Sequence, residues 1–244
     1  MTDYLSNIKK YWDDYGTKYA DNWSSLCGKE IKKKELNFIT KYLNNKGSKE
    51  KKILDIGIGT GRILDIFISD KSVKEIWGID YSQNMVDYCV KKYSKVKKIK
   101  KLYLCDISKS EITFKKKFDF VSAIRVLKYN KNWPEIIRKV YRLLNKNGIF
   151  VFTMPNHNSI NRFAKLNVHT YRTTIENLKN LLDKTGFKTL EIISFSKIPD
   201  AFYGNKLKNN KLYIWTLTRI EKLLELILGK TFLGRILFIA CRKK

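Results

Sequence analysis

The chain is 244 residues long, carries 50 Lys and Arg against 23 Asp and Glu for a formal charge of +27, and is 43% hydrophobic. That apolar content suffices for a core, which excludes a disordered, collagen-like or disulfide-scaffold chain, and the length suits a single α/β domain over 1–244. Residues 1–10 lack the apolar core of a signal peptide, and the greasiest stretch, 212–241, is interrupted by Arg219, Glu221, Lys222, Glu225, Lys230 and Arg235, so a cytoplasmic chain with no bilayer span is expected.

In chain order, residues 6–43 read as a polar, aromatic helical zone in which Tyr11, Tyr15 and Tyr19 share one helix face, followed by a charged loop over 44–52. Short β-branched or aromatic runs at 52–56, 75–80, 102–106, 118–124, 148–154 and 188–194 then alternate with helical segments. This alternation predicts a Rossmann-like, doubly wound and mostly parallel sheet with helices on its faces. Residues 133–144 read as a helix that turns at Asn147-Gly148 into the next strand. Thr173, Thr174 and Glu176 open another, with Leu178, Leu181 and Leu182 on its apolar face and Gly186 closing it. Near the end, 212–228 reads as an amphipathic helix with Ile214, Leu217, Ile220, Leu223, Leu224 and Ile227 in its stripe. It is expected to cover a sheet face, before a last strand at 235–242 adds antiparallel at the sheet edge.

The stretch with most chemical content is Asp55-x-Gly57-x-Gly59-x-Gly61-Arg62 at the end of the first strand. Glycines let a backbone turn sharply and approach a ligand closely. The dinucleotide fingerprint G-x-G-x-x-G/A fails because Arg62 stands at its third position, and no G-K-[ST] follows to make a Walker loop. A carboxylate at the strand end repels phosphate and attracts an ammonium, so Asp55 favours a ligand with a cationic amino-acid head.

With these stations in order, the chain resembles the class I S-adenosylmethionine-dependent methyltransferases over about 11–194. Ile76-Trp-Gly-Ile-Asp80 ends the second strand with a carboxylate and is followed by Tyr81-Ser-Gln-Asn-Met85, like the family's G-x-D-x-S-x-x-M run. Leu104-Cys-Asp106-Ile107 ends the third, and Lys146-Asn147-Gly148 stands for the usual Pro-Gly-Gly turn. The resemblance implies S-adenosylmethionine as cofactor, S-adenosylhomocysteine as product, and a seven-stranded sheet whose last strand is antiparallel. It implies roles for Asp55 and the glycines 57, 59 and 61 at the amino-acid end, for Asp80, Tyr81 and Met85 at the ribose, and for Asp106 and Ile107 at the adenine. It also implies a helical lid over 1–45, with Tyr11 and Tyr19 facing the sulfonium, a cofactor-binding core over 52–154, and an acceptor-side half over 155–244 with an insertion at 200–234.

Such a displacement has a neutral leaving group and needs alignment more than a catalytic triad, although a hydroxyl acceptor needs a base. The two histidines, His157 and His169, lie in the segment bordering the acceptor and are the available bases; either is otherwise a solvated loop residue. Arg125 ends the fourth strand and either grips an acceptor carboxylate or phosphate or pairs with a strand-end Asp. No [DNS]-P-P-[YF] motif follows that strand, no cysteine sits in a P-C context, and residues 122–132 contain no carboxylate for magnesium. The expected acceptor is therefore a small organic or lipid-linked molecule, methylated without a metal and without an obligate protein partner. A basic helix around 206–228 allows peripheral membrane contact.

The alternatives are a non-catalytic module that retains the cofactor-binding fold and an RNA acceptor, which the charge invites. Against it, 41 of the 50 basic residues are Lys and only nine are Arg, alongside 28 Ile and 19 Asn, the profile of an AT-rich genome rather than of a phosphate reader. Cys27, Cys89, Cys105 and Cys241 are too dispersed for a zinc site or a disulfide framework, and read as small buried hydrophobes.

Overall fold

The computed structural model describes residues 11–13, 24–44, 50–109, 114–163, 168–203, 206–231 and 233–244. Tyr15 and Tyr19 lie outside the described residues, as does much of the expected lid. Within them the elements are α1 (Leu26–Leu43), β1 (Lys51–Ile56), α2 (Leu64–Ser69), β2 (Val73–Asp80), α3 (Gln83–Lys92), β3 (Ile99–Leu104), β4 (Phe118–Ala123), α4 (Trp133–Leu143), β5 (Leu144–Pro155), α5 (Ile175–Thr185), β6 (Phe187–Phe195), α6 (Asp200–Tyr203), α7 (Lys211–Leu228) and β7 (Ile236–Lys243).

The seven strands form one sheet in the order β3-β2-β1-β4-β5-β7-β6, parallel except that β7 runs antiparallel to both neighbours. β7 is thus not at the edge, as expected, but one place in from it. All eight of its residues pair with β6, and Ile149 to Pro155 of β5 pair with its other side. Its central Leu237 to Cys241 are almost wholly buried, which is why this segment of the sequence is nearly all apolar.

Helix boundaries follow local chemistry. Ser25 Oγ accepts the Gly28 N–H at the start of α1, Thr174 Oγ1 the Asn177 N–H at the start of α5, and Asn210 Oδ1 the Tyr213 N–H at the start of α7. Gly186 ends α5 at φ 96°, a conformation that costs glycine little. Asn147 does adopt left-handed geometry, at φ 62°, yet the ladder begins earlier than expected, at Leu144, and steps around this residue through a register shift between Phe118 and Phe120.

One face of the sheet packs on α4 and α5 through Ile136, Ile137, Val140, Leu178 and Leu182; the other packs on α1, α2 and α3 through Phe38, Ile39, Leu43, Leu64, Phe67 and Val86. α7 departs from expectation. Ile214 and Leu217 are buried in a small separate cluster with Cys27 and Ile198, so the helix lies on α1, one layer out from the sheet. Ile220, Leu223 and Ile227 of its stripe stay exposed, together with Leu212, Trp215 and Leu226. No helix among the described residues is long and apolar enough to cross a membrane.

Candidate active site

The carboxyl ends of β1 to β4 share one edge of the sheet, where turns leaving parallel strands build ligand sites. A cleft of ≈ 1030 Å³, its mouth included, lies there. The turn after β1 forms its floor. Gly57, Gly59 and Gly61 all have positive φ, at 76°, 49° and 81°. A Cβ on Gly57 would come within 2.2 Å of Val126 Cγ2 and one on Gly61 within 2.4 Å of the Tyr93 hydroxyl, whereas one on Gly59 would meet nothing. The loop is therefore packed from beneath and bare at its crest.

Asp80, from the end of β2, fastens that loop. Its Oδ2 accepts the Gly59 N–H at 2.9 Å and its Oδ1 the Ser82 N–H at 3.0 Å. Burial pushes its pKa up, against the pull of the backbone N–H groups of Ser82, Gly59 and Tyr81. The carboxylate lines the cleft and has acceptor capacity beyond these three N–H groups. Asp106, beyond β3, also lines the cleft and holds its turn through Oδ1, which accepts the Ser108 N–H and Oγ–H. Ile107, Met85 and Tyr81 complete this wall, and the buried Tyr81 hydroxyl has no hydrogen-bond partner.

Asp55 is set differently. It is buried behind the loop and does not line the cleft. Oδ1 accepts the Ser122 Oγ–H at 2.5 Å, while Oδ2 has no hydrogen-bond partner. Burial, with the Asp80 charge, pushes its pKa up to about 7 despite the Ser122 bond and the Arg62 charge.

The segment at 11–13 does close on this edge, but through neighbours of the expected tyrosine. Trp12 lines the cleft and stands edge-on to Tyr129 at 5.6 Å, with Tyr11 edge-on behind it at 5.3 Å. Asp13 Oδ1 accepts the Ser82 Oγ–H at 2.5 Å, and its carbonyl accepts the Asn84 amide.

Arg125 and Arg62 both line the cleft and share a partner that sequence reading missed. Glu35 of α1 has no exposure; its Oε1 accepts Arg125 Nε at 2.7 Å and its Oε2 pairs with Arg62 at 2.5 Å. Burial works to raise the Glu35 pKa, but the two guanidinium charges outweigh it and hold the carboxyl below its usual range. Arg125 thus pairs with a helical Glu and not with a strand-end Asp. Glu35 follows three lysines, and nothing in that spacing signals a buried acid; Trp12 adjoins Tyr11 and was passed over for the tyrosine spacing.

The structure does not bring the histidines into the cleft. His157 is exposed, with its backbone N–H donated to the Thr173 carbonyl at 2.9 Å, and His169 is exposed with its ring edge-on to Tyr171. Cys105 lines the cleft, and Cys27, Cys89 and Cys241 are buried free thiols.

Residues 28–192 match a family model described as a methyltransferase domain. A carboxy-S-adenosyl-L-methionine synthase of Campylobacter lari is 24% identical over 186 residues, covering 65% of this chain and 78% of that protein. An uncharacterised protein of Haemophilus influenzae is 29% identical over 111 residues, a match that spans 44% of this chain and only 43% of that protein's length. Among solved structures, the N-methyltransferase NodS of Bradyrhizobium japonicum, in complex with S-adenosylhomocysteine, superposes with a TM-score of 0.59 at 14% identity over 91% of this chain and 90% of its own.

Proposed function

Because the chain belongs to the class I S-adenosylmethionine-dependent methyltransferases, we propose that it transfers a methyl group to a small organic or lipid-linked acceptor by in-line displacement, without a metal. The observation that carries this reading is the pairing of Asp80 and Asp106, at successive strand ends, across a cleft whose glycine crest is bare. The donor set fits the cofactor. Carboxylates suit hydroxyl and amino groups, the apolar side chains of Ile107 and Met85 suit a nucleobase, and the unpartnered Tyr81 hydroxyl is a polar atom that a hydroxyl-bearing ligand would answer.

When bound, S-adenosylmethionine supplies an electrophilic methyl on a positively charged sulfur. In our reading Asp80 holds the ribose hydroxyls, Asp106 and the Ile107 backbone hold the adenine, and the bare crest at Gly59 admits the amino-acid end. Trp12 excludes water from above, where a π face also favours a cation. His157 and His169 are left without support as bases, so the reading favours an acceptor atom that attacks through a free lone pair. Metal independence rests on the segment 122–132, which offers magnesium no carboxylate.

The lipid-linked form of the acceptor is supported by the outward face of α7, where Leu212, Trp215, Leu223 and Leu226 are exposed beside Lys211, Arg219 and Lys222. Nothing comparable favours RNA. The lysine run at 91–101 leaves α3 and enters β3 at the amino end of the strands, opposite the cleft.

Calorimetric titration with S-adenosylhomocysteine tests the shared premise. Saturable binding is expected, weakened at least tenfold by Asp80→Ala, which removes charge-assisted bonds worth about 1.5–3 kcal/mol; unchanged affinity in the variant would sink the assignment. A radiolabelled-methyl assay against small-molecule, lipid and RNA fractions then decides the acceptor, and transfer to RNA alone would overturn the small-acceptor reading.

A further inference from the structure

A second cavity, of ≈ 520 Å³, adjoins the cleft and shares Arg125 with it. Its wall brings together Arg125, Lys128, Arg172 and Arg235, with the buried Asn156 and Asn161 among them, and includes no Asp or Glu. The described segments that line it, within 122–132, 153–163, 168–175 and 233–241, contain no acidic residue in their sequence. Codon bias accounts poorly for this cluster, because that bias delivers lysine, and here three of only nine arginines in the chain converge on one lysine.

The cations are held in place by main chain. The Lys128 carbonyl accepts the Tyr171 N–H at 2.7 Å, which ties the turn after β4 to the segment bearing Arg172. Thr173 in turn donates its N–H to the Pro155 carbonyl, and Asn156 donates its own to the Arg235 carbonyl. Three loops that carry positive charge are thus fastened to one another, although their side chains repel. Cationic side chains converging on one cavity from three fastened loops are how proteins prepare a site for an anion. Burial and the neighbouring Arg125 and Arg235 charges hold the Lys128 ammonium down to about 7, with Glu35 partly opposing them.

We propose that this cavity is an anion subsite, in which Lys128, Arg172 and Arg235 grip a phosphate or carboxylate carried by the methyl acceptor. Planar guanidinium forks accept either group with paired hydrogen bonds. The assignment of the anion to the acceptor rests on the methyltransferase reading; the anion site itself does not. Arg125 spans the two cavities, so an acceptor anchored here by its charged end reaches toward the cofactor cleft with the other.

The test is calorimetric titration of methyl phosphate and, separately, of acetate into the full chain saturated with S-adenosylhomocysteine. Saturable one-to-one binding of at least one anion is expected, and the stronger of the two names the group. Arg172→Gln and Lys128→Gln should each weaken it about tenfold or more, Arg172→Lys should weaken it less, and Lys95→Gln/Lys97→Gln on the opposite end of the sheet should leave it unchanged. Melting curves and unaltered S-adenosylhomocysteine affinity establish that the variants are folded. If neither anion saturates, or if the remote double variant loses as much affinity as the pocket variants, the subsite is overturned. Should the wild-type chain fail to bind S-adenosylhomocysteine, the cofactor reading falls, and the same anion titration on the cofactor-free chain still decides the subsite.

Discussion

The setting of Asp55 at the end of β1, buried beside Ser122, decides its charge. Read from sequence, it is a strand-end acid facing the ligand's ammonium; in the fold it is sealed behind the glycine loop with one oxygen satisfied by Ser122 and one unsatisfied. The low polarity of that position favours the neutral acid, so its pKa rises from the usual 3.8 to about 7. A raised folded pKa means that the folded chain binds a proton more tightly than the unfolded one. The corresponding stability is fully present below pH 3.8 and is lost as pH rises through about 7. Asp55→Asn, which cannot ionise, should flatten this dependence: between pH 5 and pH 8 the cofactor-free wild type should lose stability relative to the variant by an amount of order 1 kcal/mol or more, at about 1.4 kcal/mol per pKa unit. Urea unfolding at the two pH values measures it, and parallel pH profiles would remove the premise that the carboxyl is strained by burial.

At the scale of elements, α1 acts as a brace across the site. Its Glu35 carboxylate joins Arg62, from the turn after β1, to Arg125, from the end of β4, and all three side chains are mostly buried. A buried ion pair adds little net stability over an apolar substitute, yet removing one partner leaves charge uncompensated at a cost of about 3–5 kcal/mol. Glu35→Gln should therefore lower unfolding free energy by about that much in chemical denaturation, and a variant within about 1 kcal/mol of wild type would mean that the two arginines are already well hydrated. The wild-type contribution runs opposite in pH to that of Asp55. Because the Glu35 carboxyl is held below its usual 4.5, its stabilisation is present above that value and lost as pH falls through the lower folded one. The elements joined here differ in how well the sequence announced them. β1, β2, β4 and β5 were legible because strands buried on both faces are written as short apolar runs, and Asp80 follows from counting to the end of its run, whereas the half-exposed β3 spans Ile99–Leu104, not 102–106, and leaves Asp106 two residues beyond its end. α1, α4 and α5 were legible from their periodicity or caps. The position of β7 and the seat of α7 were not, since both depend on which apolar surfaces remain after the core has formed. Glu35 was hidden for the same reason: its burial is decided by two arginines that are distant in sequence.

At the scale of the whole molecule, the +27 charge is a stress on the folded state before it is a clue to partners. Cations outnumber acids two to one, and exposed pairs such as Lys74 with Glu50 or Lys41 with Glu191 offset little of their mutual repulsion. Screening should relieve it. Raising NaCl from 0.01 M to 0.1 M shortens the reach of charge from about 30 Å to about 10 Å, and the melting temperature should climb by several degrees, at ~2–4 °C per kcal/mol for a chain of this size. This response belongs to the lysine-rich surface at large and is indifferent to the anion supplied. The clustered arginines of the second cavity should respond differently, because a bound anion stabilises by mass action and not by screening. At matched ionic strength, phosphate should raise the melting temperature beyond chloride in the wild-type chain, and Arg172→Gln should lose that excess while keeping the chloride response. Thermal scans in the two salts separate the contributions. An equal rise in both salts for the wild type would assign the whole effect to diffuse charge, whereas an excess abolished by a single substitution means that one small part of a generally basic molecule holds its cations in an arrangement that selects an anion.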